Sequence, residues 1–128
     1  MNKLNKENII GIAALLVHAA KIDEIYSDHE KVLIKDFIKS YLKDDADDIL
    51  KKAEETEGNS NQLLNYTNII KQESIEIKKD IIEHLWKVII SDNAVDQYES
   101  NLMRRICGLV YFPDKECAEI KLKLIKNK

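Results

Sequence analysis

The chain has 128 residues, 45% hydrophobic and 34% charged, with a net charge of −3. That supports one folded domain with a core needing neither disulfide nor structural metal, and excludes a disordered chain, which would be poor in Ile and Leu. Three glycines and one proline are too few for the tight turns of a sandwich or barrel, and 20 basic against 23 acidic residues, with no long basic stripe, argue against nucleic-acid binding.

The first element is a helix over about Asn8 to Lys21. Ile9, Ala13, Leu16 and Ala20 share one stripe, widened by Ile10, Ile12 and Val17, which marks a central helix. Its small residues Ala13, Ala14, Ala19 and Ala20 suit close neighbours. The opening "MNKLNKENIIGIAALLVHAAK" has a basic tip before an apolar stretch, but the stretch keeps helical spacing and His18 interrupts it. It is too short for a bilayer, which needs about 20 apolar residues. The expectation is a core helix of a cytoplasmic protein, with no signal peptide and no transmembrane segment.

A second helix starts at Ser27, where "SDHE" fits a capping box with Glu30. Leu33, Phe37 and Tyr41 follow on one face, beside Ile34 and Ile38. "KDDADD" at 43–48 puts acids at the positive end of a third, shorter helix carrying Ala46, Ile49, Leu50 and Ala53. "TEGNSNQ" at 56–62 reads as a loop. A short helix with Leu63, Tyr66, Thr67 and Ile70 comes next. A long one over Ser74 to Ile90 carries Ile77, Ile81, Leu85, Val88 and Ile89, with Ile82 and Trp86 alongside.

"SDNAVDQYE" at 91–99 interrupts again, with Asp96 as cap and Glu99 three residues on. The following helix holds Leu102, Met103, Ile106, Leu109 and Val110. Pro113 suits the first turn of a last helix, and Asp114 and Glu116 suit its dipole; that helix buries Cys117, Ile120 and Leu124. The fold class is therefore all-α, a single-domain bundle of about seven helices. Cys107 and Cys117 fall on apolar helical positions, with no CxxC and no His at zinc spacing. They read as two reduced, buried thiols; a redox pair across a helix-turn-helix is the other arrangement.

Two connections echo each other. Asp92 lies 69 residues after Asp23, and Glu99 lies 69 after Glu30. At the same offset Leu16 meets Leu85, Leu33 meets Leu102 and Phe37 meets Ile106. Two pseudo-repeated helical hairpins would produce this. Capping accounts for Glu30 and Glu99. It does not account for Asp23 and Asp92, which end helices and oppose their dipoles at a cost of about 0.3–1 kcal/mol. The alternatives are caps plus solvated charge, or one or two oxygen-rich sites for a divalent cation such as Ca²⁺ or Mg²⁺. On the second reading Asp23, Glu30, Asp92 and Glu99 are the candidate metal ligands. The loop is not an EF-hand, which takes 12 residues with a central Gly. Tyr26 and Tyr98 flank the acids, as in a partner surface or as staples onto the core.

The segments "AALLVHAAKIDEIYSDHEKVLI" and "LWKVIISDNAVDQYESNLMRRICGLVYF" resemble the paired Asp-Gly…Glu motifs of the tellurite-resistance TerB family and its wider TerB-like superfamily. The resemblance covers nearly the whole chain. Where the family pattern has Gly after each Asp, this chain has Glu24 and Asn93. The resemblance implies an all-helical bacterial cytoplasmic domain with an acidic surface. It also implies a link to tellurite and stress resistance, and cation binding or scaffolding of protein partners without enzymatic activity.

No GxSxG, P-loop, GxGxxG or HExxH occurs, and no Glu stands three residues before a His as a di-iron bundle requires. Asp80 and His84 are spaced to pair on a helix surface. The expectation is thus a non-enzymatic acidic binding or scaffold module, with a divalent cation as its only cofactor, protein partners and no nucleic acid. A metal-dependent enzyme or metal-stress sensor using the same carboxylates is the alternative.

Overall fold

A computed structural model describes residues 5–21, 26–43, 45–59, 63–90 and 97–126; at 63 and 97–99 it describes the backbone alone. Among these residues there are seven α-helices and no strand. They are α1 (Lys6–Ala20), α2 (Asp28–Tyr41), α3 (Ala46–Asn59), α4 (Leu63–Lys71), α5 (Ile75–Ile90), α6 (Gln97–Leu109) and α7 (Asp114–Lys126).

Helix α1 is the hub. It starts two residues earlier than its apolar stripe suggests, because Asn5 caps it by accepting the Asn8 N–H at 2.7 Å. From Ile9 to Ala20 only Ile10 and His18 escape full burial. Helices α2, α3, α4 and α5 all pack on α1. At Gly11 α4 comes so near that a Cβ would overlap Ile69 Cδ1. Gly11 rather than the alanines sets the spacing there.

The core runs on through Ile34, Phe37 and Ile38 of α2, Ile49 and Ala53 of α3, and Ile81, Ile82 and Leu85 of α5. Each such Ile, Leu or Phe contributes about 1.5–3 kcal/mol by leaving water. The Phe37 ring packs tilted against Tyr41 and edge-to-face with His84, with centroids 5.1 and 5.2 Å apart. The α5 helix also packs on α2 and α7, and α6 lies against α4 and α7.

The stretch expected as a loop at 56–62 is helical as far as Asn59. The α3 stripe of Ala46, Ile49, Leu50 and Ala53 continues to a buried Glu57, and Thr56 Oγ1 donates to the Lys52 carbonyl at 2.9 Å. Gly58, with open space where a side chain would be, costs this turn only about 1 kcal/mol relative to Ala. Positions 60–62 lie outside the described residues.

The α6–α7 connection is a Schellman turn. The Phe112 N–H bonds the Cys107 carbonyl at 2.8 Å, and Tyr111 takes φ 59°. Phe112 then packs inward, and α7 folds back along α6. Pro113 stands one residue before α7, its carbonyl accepting the Cys117 N–H at 3.0 Å. No described helix is long and apolar enough to cross a membrane.

Candidate functional site

Three chain segments meet where α1 ends. His18 and Lys21 close α1, Tyr26, Ser27 and Glu30 open α2, and Glu54 and Glu57 lie one turn apart in α3, which packs against both. Ser27 and Glu30 form the expected capping box. The Glu30 N–H donates to Ser27 Oγ at 3.2 Å, and Glu30 Oε1 accepts the Ser27 N–H at 2.8 Å and its hydroxyl at 3.1 Å. Glu30 is 2% exposed, so its carboxylate is fixed below the surface rather than solvated.

Glu57 is 7% exposed. Lys21 Nζ donates to its Oε1 at 2.8 Å, and His18 Nδ1 lies 3.3 Å from its Oε2. Burial pushes this carboxyl up, but the hydrogen bonds and charges of Lys21 and His18 outweigh it and hold the group below the ordinary carboxylate value. The Tyr26 hydroxyl donates to Glu54 Oε2 at 2.7 Å. Burial first, then the Glu54 hydrogen bond and the charges of Glu54, Glu30 and Glu57, push the Tyr26 phenol far above its ordinary value. All three carboxylates therefore act on one half-buried ring. Lys31 and Lys21 lie over that ring at 5.0 and 6.0 Å, which keeps the cluster from accumulating uncompensated charge.

Of the four sequence-predicted ligands, Glu30 is in this cluster. Asp23 and Asp92 lie outside the described residues; Glu99 sits in the first turn of α6, its side chain likewise outside them. The described residues hold no group of three or more His, Cys, Asp or Glu able to bind a metal. The donor chemistry fits a hard ion, since every candidate ligand is a carboxylate oxygen. His29, within the first acidic stretch, is exposed on α2.

Glu54 and Glu57 were not foreseen as part of the site. Glu57 continues the apolar spacing of α3, which was the available signal. A second polar contact, between α2 and α5, was missed as well. The Tyr41 hydroxyl donates to Asp80 Oδ2 at 2.5 Å, and His84 Nδ1–H donates to the Asp80 carbonyl at 2.8 Å. The Asp80–His84 pair expected on a surface thus anchors α5 to α2, with the His84 ring edge-on to Phe37. Burial, then the Asp80 bond, raises the Tyr41 phenol.

A family model described as tellurite resistance protein TerB matches residues 10–122. The chain belongs to the TerB family. The match runs from the first turns of α1 into α7, so the Tyr26 cluster and both acidic connections fall inside the TerB region. No curated protein matches the chain, and no solved structure does.

Proposed function

We propose that this TerB-family chain is a non-enzymatic acidic binding and scaffold module of the cytoplasm, acting in tellurite or related stress resistance. The observation that carries the reading is the gathering of Glu30, Glu54 and Glu57 around the Tyr26 phenol. Carboxylates held by a capping box and by Lys21 are oriented before any ligand arrives, so binding costs little further ordering. Asp23, Glu30, Asp92 and Glu99 serve as oxygen ligands for Ca²⁺ or Mg²⁺, and the surrounding acidic face with its aromatic ring engages protein partners.

The test is ligand-linked stability of the full chain. A cation that binds only the folded state at a hundredfold excess over its Kd adds about 2.7 kcal/mol. Ca²⁺ or Mg²⁺ should raise the Tm of the wild type and leave Asp23→Asn and Asp92→Asn unmoved. Equal shifts in all three proteins, or none in any, would contradict the ligand assignment. Metal-dependent turnover that disappears in Asp92→Ala would contradict the non-enzymatic reading.

A further inference from the structure

The two cysteines lie far along the chain from the acidic cluster and face each other across the α6–α7 turn. Cys107 is fully buried on α6; Cys117, in the first turns of α7, is 5% exposed. The Schellman turn that begins at the Cys107 carbonyl folds α7 back along α6, which brings the two thiols close enough to act on each other. They are not equivalent. Cys117 lines a surface cleft of about 500 Å³ together with Trp86, Met103, Arg104, Asp114 and Lys121. Trp86 Nε1–H donates to Cys117 Sγ at 3.3 Å, and Lys121 Nζ lies 5.4 Å above the indole. Cys117 thus borders a cleft with two cations and one acid and takes an N–H donor, while the fully buried Cys107 does not line it.

We propose that Cys117 is an oxidation site for peroxides and Cys107 its resolving thiol, the pair closing to a reversible disulfide between α6 and α7. The Cys117 thiolate attacks one peroxide oxygen. The O–O bond breaks, and hydroxide leaves and is protonated to water. The resulting Cys117 sulfenic acid is attacked by the Cys107 sulfur, which gives up its proton. The S–O bond breaks, and the departing hydroxide takes that proton as a second water. In sum two thiols and one peroxide give one disulfide and two waters, each sulfur losing one electron and each peroxide oxygen gaining one.

Charge distribution supports this order of events. The neighbouring Cys107 thiol, then the Trp86 N–H and Lys121, hold the Cys117 thiol below the ordinary cysteine value despite burial and Asp114. The Cys117 sulfur beside it, and then burial, raise the Cys107 thiol, so it keeps its proton until the sulfenic acid is there to be attacked. The site is independent of the cation reading.

The experiment treats the reduced full-length chain with hydrogen peroxide, alkylates it and measures its intact mass. The reduced protein should take two alkyl groups. The oxidised protein should take none, be lighter by two hydrogens, and yield on digestion a peptide joining Cys107 to Cys117 that thiol reductant separates. Cys107→Ala should accumulate a Cys117 sulfenic acid trapped by dimedone. Trp86→Phe should slow oxidation by about tenfold, the worth of one hydrogen bond to a charged sulfur. Two alkylatable thiols after peroxide exposure that fully oxidises glutathione would overturn the proposal. So would disulfides only between chains, or direct passage of Cys117 to sulfinic acid. The wild-type mass decides the matter even if a cysteine variant fails to fold.

Discussion

Replacing Glu57 by Gln keeps the side chain's shape and one carbonyl acceptor for Lys21 while removing the charge. Two hydrogen bonds to Glu57 are affected, from Lys21 at 2.8 Å and at His18 at 3.3 Å. A charge-assisted bond is about twice as strong as a neutral one, so roughly half of each is lost. The Lys21 side chain is 44% exposed and that of His18 29%, against 9% for Glu57, so water screens both partners. The expected loss is about 1 kcal/mol, or a Tm lower by about 3–5 °C for a chain of this size. The pH dependence is the sharper test. Because the folded-state pKa of Glu57 is depressed, its contribution is complete above the unfolded carboxylate value of about 4.3. It is lost as pH falls through the lower folded value. Urea unfolding of Glu57→Gln and wild type should differ at neutral pH and converge in acid, where the protonated wild type resembles the variant. Equal stabilities at neutral pH, or a gap that persists undiminished in strong acid, would refute the reasoning.

Ser27→Ala removes the hydroxyl that caps α2 and should cost about 0.5–2 kcal/mol in denaturant unfolding. Tyr26→Phe frees Glu54 Oε2 of its donor and should cost about 0.5–1.5 kcal/mol by the same assay. Raised phenols at Tyr26 and Tyr41 contribute stability that is complete below the unfolded tyrosine value of about 10. It is lost as pH climbs from there towards the folded values. Ultraviolet titration should show Tyr26 and Tyr41 ionising above the ordinary tyrosine value, with one late-ionising tyrosine fewer in Tyr26→Phe. Gly11→Val, forcing branched carbons against Ile69, should cost about 1–3 kcal/mol by thermal melting, since overpacking displaces whole side chains.

Helix positions and the Ser27–Glu30 box were legible because both are local. Spacing of Ile and Leu fixes which face is buried, and a cap is written within four residues. The 56–59 turn was misread for a related reason: Gly58 and Asn59 are weak local stops, and the contact that overrides them, Glu57 with Lys21, joins residues 36 apart. Glu54 and Tyr41–Asp80 escaped notice likewise, since each pairs across helices 28 and 39 residues distant. Tyr111 in the left-handed region carried no glycine signal, because the buried Phe112 after it holds the turn. Cys107 and Cys117 read from the sequence as two reduced, buried thiols, as they are, but the cleft and the Trp86 donor at Cys117 were not legible.

The decisive question is whether the two acidic connections share one cation. Following backbone amide shifts of the full chain during Ca²⁺ and Mg²⁺ titration answers this residue by residue. Residues 23–30 and 91–99 should move together along one saturation curve, and Asp23→Asn should abolish the response in both. If millimolar cation leaves both segments still, or if they respond with separate affinities and neither depends on Asp23, the shared site does not exist.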